Sequence, residues 1–193
     1  MKNLKTLSLC VLLNLGILNH VAHAEKLHDT IIYPEWLKTN LFNFDNPRNQ
    51  YVGSASIVSE RSDFYSSYIP YNEKLSAEQN AEKIAFLRAK LNAYNALESI
   101  LVARKMRKRI YEALNAKTEN VNDLFKIVDF LVSQSIVAKR FVDKTNHRVY
   151  IMVQFPLIQP EELIAYWQKR NSKLSNENAK NLSTILNKTL FDI

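Results

Sequence analysis

The clearest alternation in the chain runs through residues 148–155. Val149, Ile151, Val153 and Phe155 take every second place, with Arg148, Tyr150, Met152 and Gln154 between them. A period of two predicts a strand with one wholly apolar face and one amphipathic face. Residues 135–142 supply a partner strand, and Asp143-Lys144-Thr145-Asn146 is turn-prone, so a hairpin is expected. Pro156 ends the second strand because it has no N–H for the ladder. Further upstream, residues 51–58 have strand character at both ends and small residues in the middle. Gly53 lies among them, at a point suited to close backbone approach by a packed helix.

The pattern changes to helical spacing at Ala77. Ser76 and Gln79 form a capping-box pair. Ala81, Ala85, Ala89, Ala93, Ala96 and Ile100 then recur at intervals of three and four. Ile84, Leu87, Leu91 and Tyr94 run beside them. Together they predict one wide apolar face on a helix extending to about Ala116. Thr118 is the expected cap of a second helix carrying Val121, Leu124, Phe125, Val128, Leu131 and Val132. Pro160-Glu161-Glu162 opens another, with proline at the entry and acids at the positive end of the dipole. Its apolar face is Leu163, Ile164 and Trp167, and a last amphipathic segment holds Leu182, Ile185 and Leu186. The expected fold is α+β: a small antiparallel sheet in the order strand, helix, helix, strand, strand. A long helix packs on one face and helices follow at the C-terminus.

The N-terminus has a different character. Lys2 and Lys5 precede an apolar run from Leu7 to Leu18, and Ala22-His23-Ala24 is a small-x-small site. Residues 1–24 therefore read as a secretory signal, with Glu25 opening the mature chain. The apolar run is shorter than the roughly 20 residues a spanning helix needs. Cys10 lies inside this run behind Leu9, where a lipid-attachment site would need a small residue. Residues 25–50 read as an extended lead-in, with a short turn at residues 35–38. Residues 51–158 form the core, and residues 159–193 a helical extension.

Composition narrows the chemistry. The 193 residues carry 26 Lys+Arg against 19 Asp+Glu, and removing residues 1–24 lowers the net charge from +7 to +5. Two glycines exclude a glycine-rich phosphate loop, and one cysteine excludes a disulfide framework or a cysteine-based zinc site. His28 and His147, the histidines left after residue 24, have no partner at helical ligand spacing. No cofactor or metal is expected. No nucleophile motif appears, and an enzyme is not expected. A secreted hydrolase would need a pocket that gathers polar groups by folding.

Pro34-Glu35-Trp36, Tyr51-Val52-Gly53-Ser54-Ala55, the alanine-rich helix and Arg148-Val149-Tyr150-Ile151-Met152-Val153, in that order, resemble the bacterial lipoprotein-20 family. That family includes surface lipoproteins and a flagellar outer-membrane lipoprotein. The resemblance covers residues 34–158. It implies a compact strand–helix–strand–strand domain of the Gram-negative envelope and brings no catalytic residues. The chain departs from the pattern in lacking a lipid-attachment cysteine. It also adds the aromatic connection 59–75 and the tail after Pro160.

Two surfaces stand out as binding candidates. Arg104, Lys105, Arg107, Lys108 and Arg109 are five basic residues in six. On a helix they cover more than half the circumference, either as a solvated end or as an anion-binding surface. The other candidate combines Tyr65, Tyr68 and Tyr71 of the aromatic connection with Arg148, Tyr150 and Met152 on the sheet face expected to lie open. The expected role is a structural or protein-interaction component of an envelope assembly. It would act in the periplasm or at the periplasmic face of the outer membrane. Its partner would be an envelope protein or a second copy of the chain. The alternative is a module for anionic lipid or lipopolysaccharide through residues 104–109. Nucleic acid is not an expected partner of an exported chain.

Overall fold

The computed structural model describes residues 32–42, 48–58 and 70–191. The chain divides into two compact units, residues 1–38 and 39–193. The secretory signal expected at residues 1–24 lies outside the described residues. Pro34, in the first unit, opens helix α1 (Glu35–Phe42), whose last four residues are counted with the second. Its carbonyl accepts from the N–H groups of Leu37 (2.9 Å) and Lys38 (3.2 Å). The lead-in expected to be extended therefore holds an eight-residue helix rather than a turn at residues 35–38.

The second unit is α+β. Strands β1 (Gln50–Ser56), β2 (Ile136–Asp143) and β3 (Arg148–Gln154) form one antiparallel sheet in the order β1-β3-β2. The helices are α2 (Ala77–Val102), α3 (Arg104–Ala113), α4 (Val121–Gln134), α5 (Pro160–Lys169) and α6 (Asn176–Phe191). The expected hairpin is present. Asp143 holds its turn by accepting from the Asn146 N–H and side-chain amide, both at 2.9 Å. Ser76 and Gln79 make the expected capping box at the start of α2.

The alanine stripe explains how α2 is used. Ala81, Ala85, Ala89, Ala93, Leu97 and Leu101 are all buried, each four residues after the last. A helix turns every 3.6 residues, so a four-residue stripe winds by about 40° per step. The buried face consequently rotates along the helix. Ala81, Ala85 and Ala89 pack on Val149, Ile151 and Val153 of β3. Ala93, Leu97 and Leu101 belong to a separate helical core with Ile127, Phe130, Phe155, Leu163, Trp167 and Leu182. The expectation of one wide face is corrected here. Leu87 and Leu91 lie on the far side of the helix and are 37% and 57% exposed.

Helix α2 also closes one sheet edge. Asn92 Nδ2 donates to the Val52 carbonyl and Arg88 Nη1 to the Ser54 carbonyl, both at 2.8 Å.

Two helix boundaries differ from expectation. The long helix breaks at Ala103 (φ −56°, ψ 129°) instead of running to Ala116, so residues 104–113 form a helix of their own. Asn120, not Thr118, caps α4: the Asn122 N–H donates to Asn120 Oδ1 at 3.1 Å. The side-chain acceptor of Asn120 directly precedes the first turn, so it serves an N–H that Thr118 stands too far upstream to serve.

Candidate functional site: the basic turns of α3

Helix α3 is held by one side. Ile110, Tyr111 and Ala113 are buried, and Met106 packs against the helical core. Thr189 Oγ1 of α6 lies 3.9 Å from Met106 Sδ. Asn178 of α6 donates to the Leu114 carbonyl at 2.9 Å and fixes the far end. On the free side, Arg104, Lys105 and Lys108 are exposed, with Arg107 and Arg109 half-buried at the flanks.

The five cations differ in their partners. Arg107 pairs with Glu119 at 3.3 Å, and Lys108 with Glu112 at 3.8 Å one turn on. Both pairs are well exposed and contribute little to stability. Arg104, Lys105 and Arg109 have no acidic partner among the described residues.

Their setting is unusual in electrostatic terms. The break at Ala103 makes Arg104 and Lys105 the first two residues of a helix. Ala103 offers no side-chain cap, and no acid stands in the first turn. A helix N-terminus exposes unpaired N–H groups and carries about half a positive charge. Cations there add to the positive end of α3 and concentrate positive potential at its start, with the C-terminus of α2 one residue before them. Nearby, burial above all pushes the Tyr111 phenol up, helped by Glu119 and Asp123 and opposed by Arg107. It stays neutral and adds no negative charge to the patch.

The second candidate surface is not assembled as expected. Tyr65 and Tyr68 lie outside the described residues. Tyr71 is half-buried just ahead of α2. Arg148 is exposed, but Tyr150 is 6% exposed and Met152 fully buried, so the face carrying them is not open. Phe141 of β2 packs on Tyr150, with ring centroids 6.2 Å apart. Three-strand sheets with one bare face expose much apolar area, and Tyr150 and Met152 are large enough to require cover.

A cleft of about 500 Å³ opens between the starts of α5 and α6, lined by Pro160, Glu161, Ile164, Asn176 and Lys180. Its charged groups are one carboxylate, Glu161, and one amine, Lys180. Among the described residues, no group of three His, Cys, Asp or Glu side chains could hold a metal ion. No helix among them is long and apolar enough to cross a membrane.

Sequence reasoning found the basic run but missed that it opens a helix. No glycine, proline or capping side chain marks the break at Ala103. No protein-family model matches the chain, and a search of curated proteins returns no match.

Proposed function

We propose that the chain is a non-enzymatic, exported envelope protein that binds anionic lipid headgroups through the first turns of α3, as a component of a larger envelope assembly. One observation carries this reading. Arg104 and Lys105 open α3, with no capping side chain and no acid in its first turn. Phosphate groups suit such an end, because they accept from free N–H groups and cations together. The signal-like segment at residues 1–24 and the resemblance to lipoprotein-20 proteins support an envelope setting.

The test is flotation with vesicles containing phosphatidylglycerol. Each basic residue near an anionic surface contributes about 1 kcal/mol. Replacing Arg104, Lys105 and Arg109 with Gln should therefore weaken binding on the order of a hundredfold. Wild-type binding should fall as salt rises. Binding that survives the triple substitution, or that ignores salt, rejects the reading.

A further inference from the structure

The two edges of the sheet are treated differently. On β1, the carbonyls that point away from β3 are those of Val52 and Ser54, and α2 takes both through Asn92 and Arg88. In an antiparallel pair, successive residues direct their backbone groups to alternate sides. Tyr51, Gly53 and Ala55 therefore make the ladder to Val153, Ile151 and Val149. The same ladder continues at both ends, where Phe155 N–H donates to the Asn49 carbonyl and Ile57 N–H to the His147 carbonyl.

This phase fixes β2. On β3, Met152 and Tyr150 must turn their backbone groups towards β2, where they meet Lys139 and Phe141. The backbone N–H and C=O groups of Arg140 and Val142 then point outward, as do those of Val137 beyond the bulge between Val137 and Lys139. Residues 136–140 are all exposed, with Ile136 at 59% and Val137 at 51%. Among the described residues nothing pairs with this outward row of donors and acceptors, and such a row is a template for another strand.

The side chains beside that row select the occupant. Arg140 turns to the α2 face and pairs with Glu78 and Glu82. Lys139 lies on the opposite face, and Lys144 and Arg148 follow at the hairpin end. All three are exposed, with no acidic partner among the described residues. On the α2 face the exposed neighbour is Val137. We infer that β2 is a docking edge for an extended acidic segment of another protein. Its residues alternate, with acids on the Lys139 face and apolar residues beside Val137. Backbone hydrogen bonds hold such a strand, and the alternate side chains select it. A second copy of β2 is a poor occupant because antiparallel self-pairing centred on Arg140 sets it against its own equivalent, with the two Lys139 side chains close by. The inference does not depend on the lipid-binding role of α3.

Amide hydrogen exchange on the full chain tests it, with the ten-residue peptide acetyl-(Val-Glu)5-amide as probe. In the free protein, the Lys139 and Phe141 amides should be protected and those of Arg140 and Val142 should exchange fast. Millimolar probe should slow Arg140 and Val142 by about tenfold or more. Val137→Pro should abolish that effect while the Lys139 and Phe141 amides stay protected, since proline is tolerated at an outward edge position. Three results would overturn the inference. The first is no change with the acidic probe. The second is equal protection from acetyl-(Val-Lys)5-amide. The third is protection that grows with protein concentration when no peptide is present, which would assign the edge to a second copy.

Discussion

Gly53 of β1 lies directly beneath Ala89 of α2. A Cβ built at position 53 would overlap the Ala89 backbone nitrogen and the Ala85 carbonyl oxygen, and would stand 2.9 Å from Ala89 Cα. Strand and helix meet backbone to backbone here. Gly53→Ala should destabilise the fold by about 3 kcal/mol in urea denaturation. Ala89→Gly should not rescue it, because the obstructing atoms are main chain.

Asn80 fastens the entry to α2. Its side chain is 1% exposed. Oδ1 accepts from the Asn72 N–H at 3.0 Å, and Nδ2 donates to the carbonyls of Asn72, Leu75 and Ser76 at 3.0, 3.3 and 3.1 Å. Asn80→Ala should cost about 2–3 kcal/mol, since these groups lose their partner in a buried place. Asn80→Asp keeps the acceptor but sets a carboxylate against three carbonyl oxygens. Its folded-state pKa would be raised, so its melting temperature should fall as pH rises through that value.

Position 103 separates stability from binding. Ala103→Asp gives α3 a side-chain acceptor and a negative charge at its positive end, a gain of about 1 kcal/mol. The same charge cancels part of the potential around Arg104 and Lys105. Thermal denaturation should show a more stable protein and vesicle flotation a weaker binder. If affinity rises or holds while stability rises, the basic turns do not carry the binding.

Tyr51 makes the fold sensitive to alkali. Burial pushes its phenol up to about 12, with Arg48 pulling weakly the other way. An unfolded tyrosine titrates near 10. Between these values the unfolded chain releases a proton that the folded chain retains. Stability is therefore unaffected below about pH 9 and falls through the window by about 2 kcal/mol, allowing for partial exposure. Tyr51→Phe should flatten that part of the profile. It should also lower stability at neutral pH by about 1 kcal/mol, through loss of the 2.8 Å bond from the hydroxyl to the Arg48 carbonyl. Tyr94, Tyr111 and Tyr166 are also raised, chiefly by burial, so a residual slope should remain.

The fold was legible where one local signal sufficed. Alternation at residues 148–155, the Ser76–Gln79 pair, Pro160 and the room at Gly53 each act within a few residues, and each reappears in the structure. What escaped depends on distant packing. Alanine is the best helix former, so nothing at Ala103 announces a stop. Leu87 and Leu91 fit a helical stripe by spacing, yet the four-residue alanine series rotates the buried face away from them. Tyr150 and Met152 alternate as an outward face would, and their burial is set by what covers the sheet, which period-two spacing does not encode. In the candidate site, the composition of residues 104–109 was plain, but its placement at a helix start was not.

The rotating alanine series has a consequence for how the second unit comes apart. Its two cores are built on successive halves of the same rod: the sheet rests on the first turns of α2 and the helical cluster on the last. Releasing either cluster strips one half of α2 of its packing, and a lone helical half of that length has little stability of its own in water. The clusters therefore have no independent melting points. The long helix couples them into a single cooperative unit, so that damage under the hairpin is felt equally around Phe130 and Trp167.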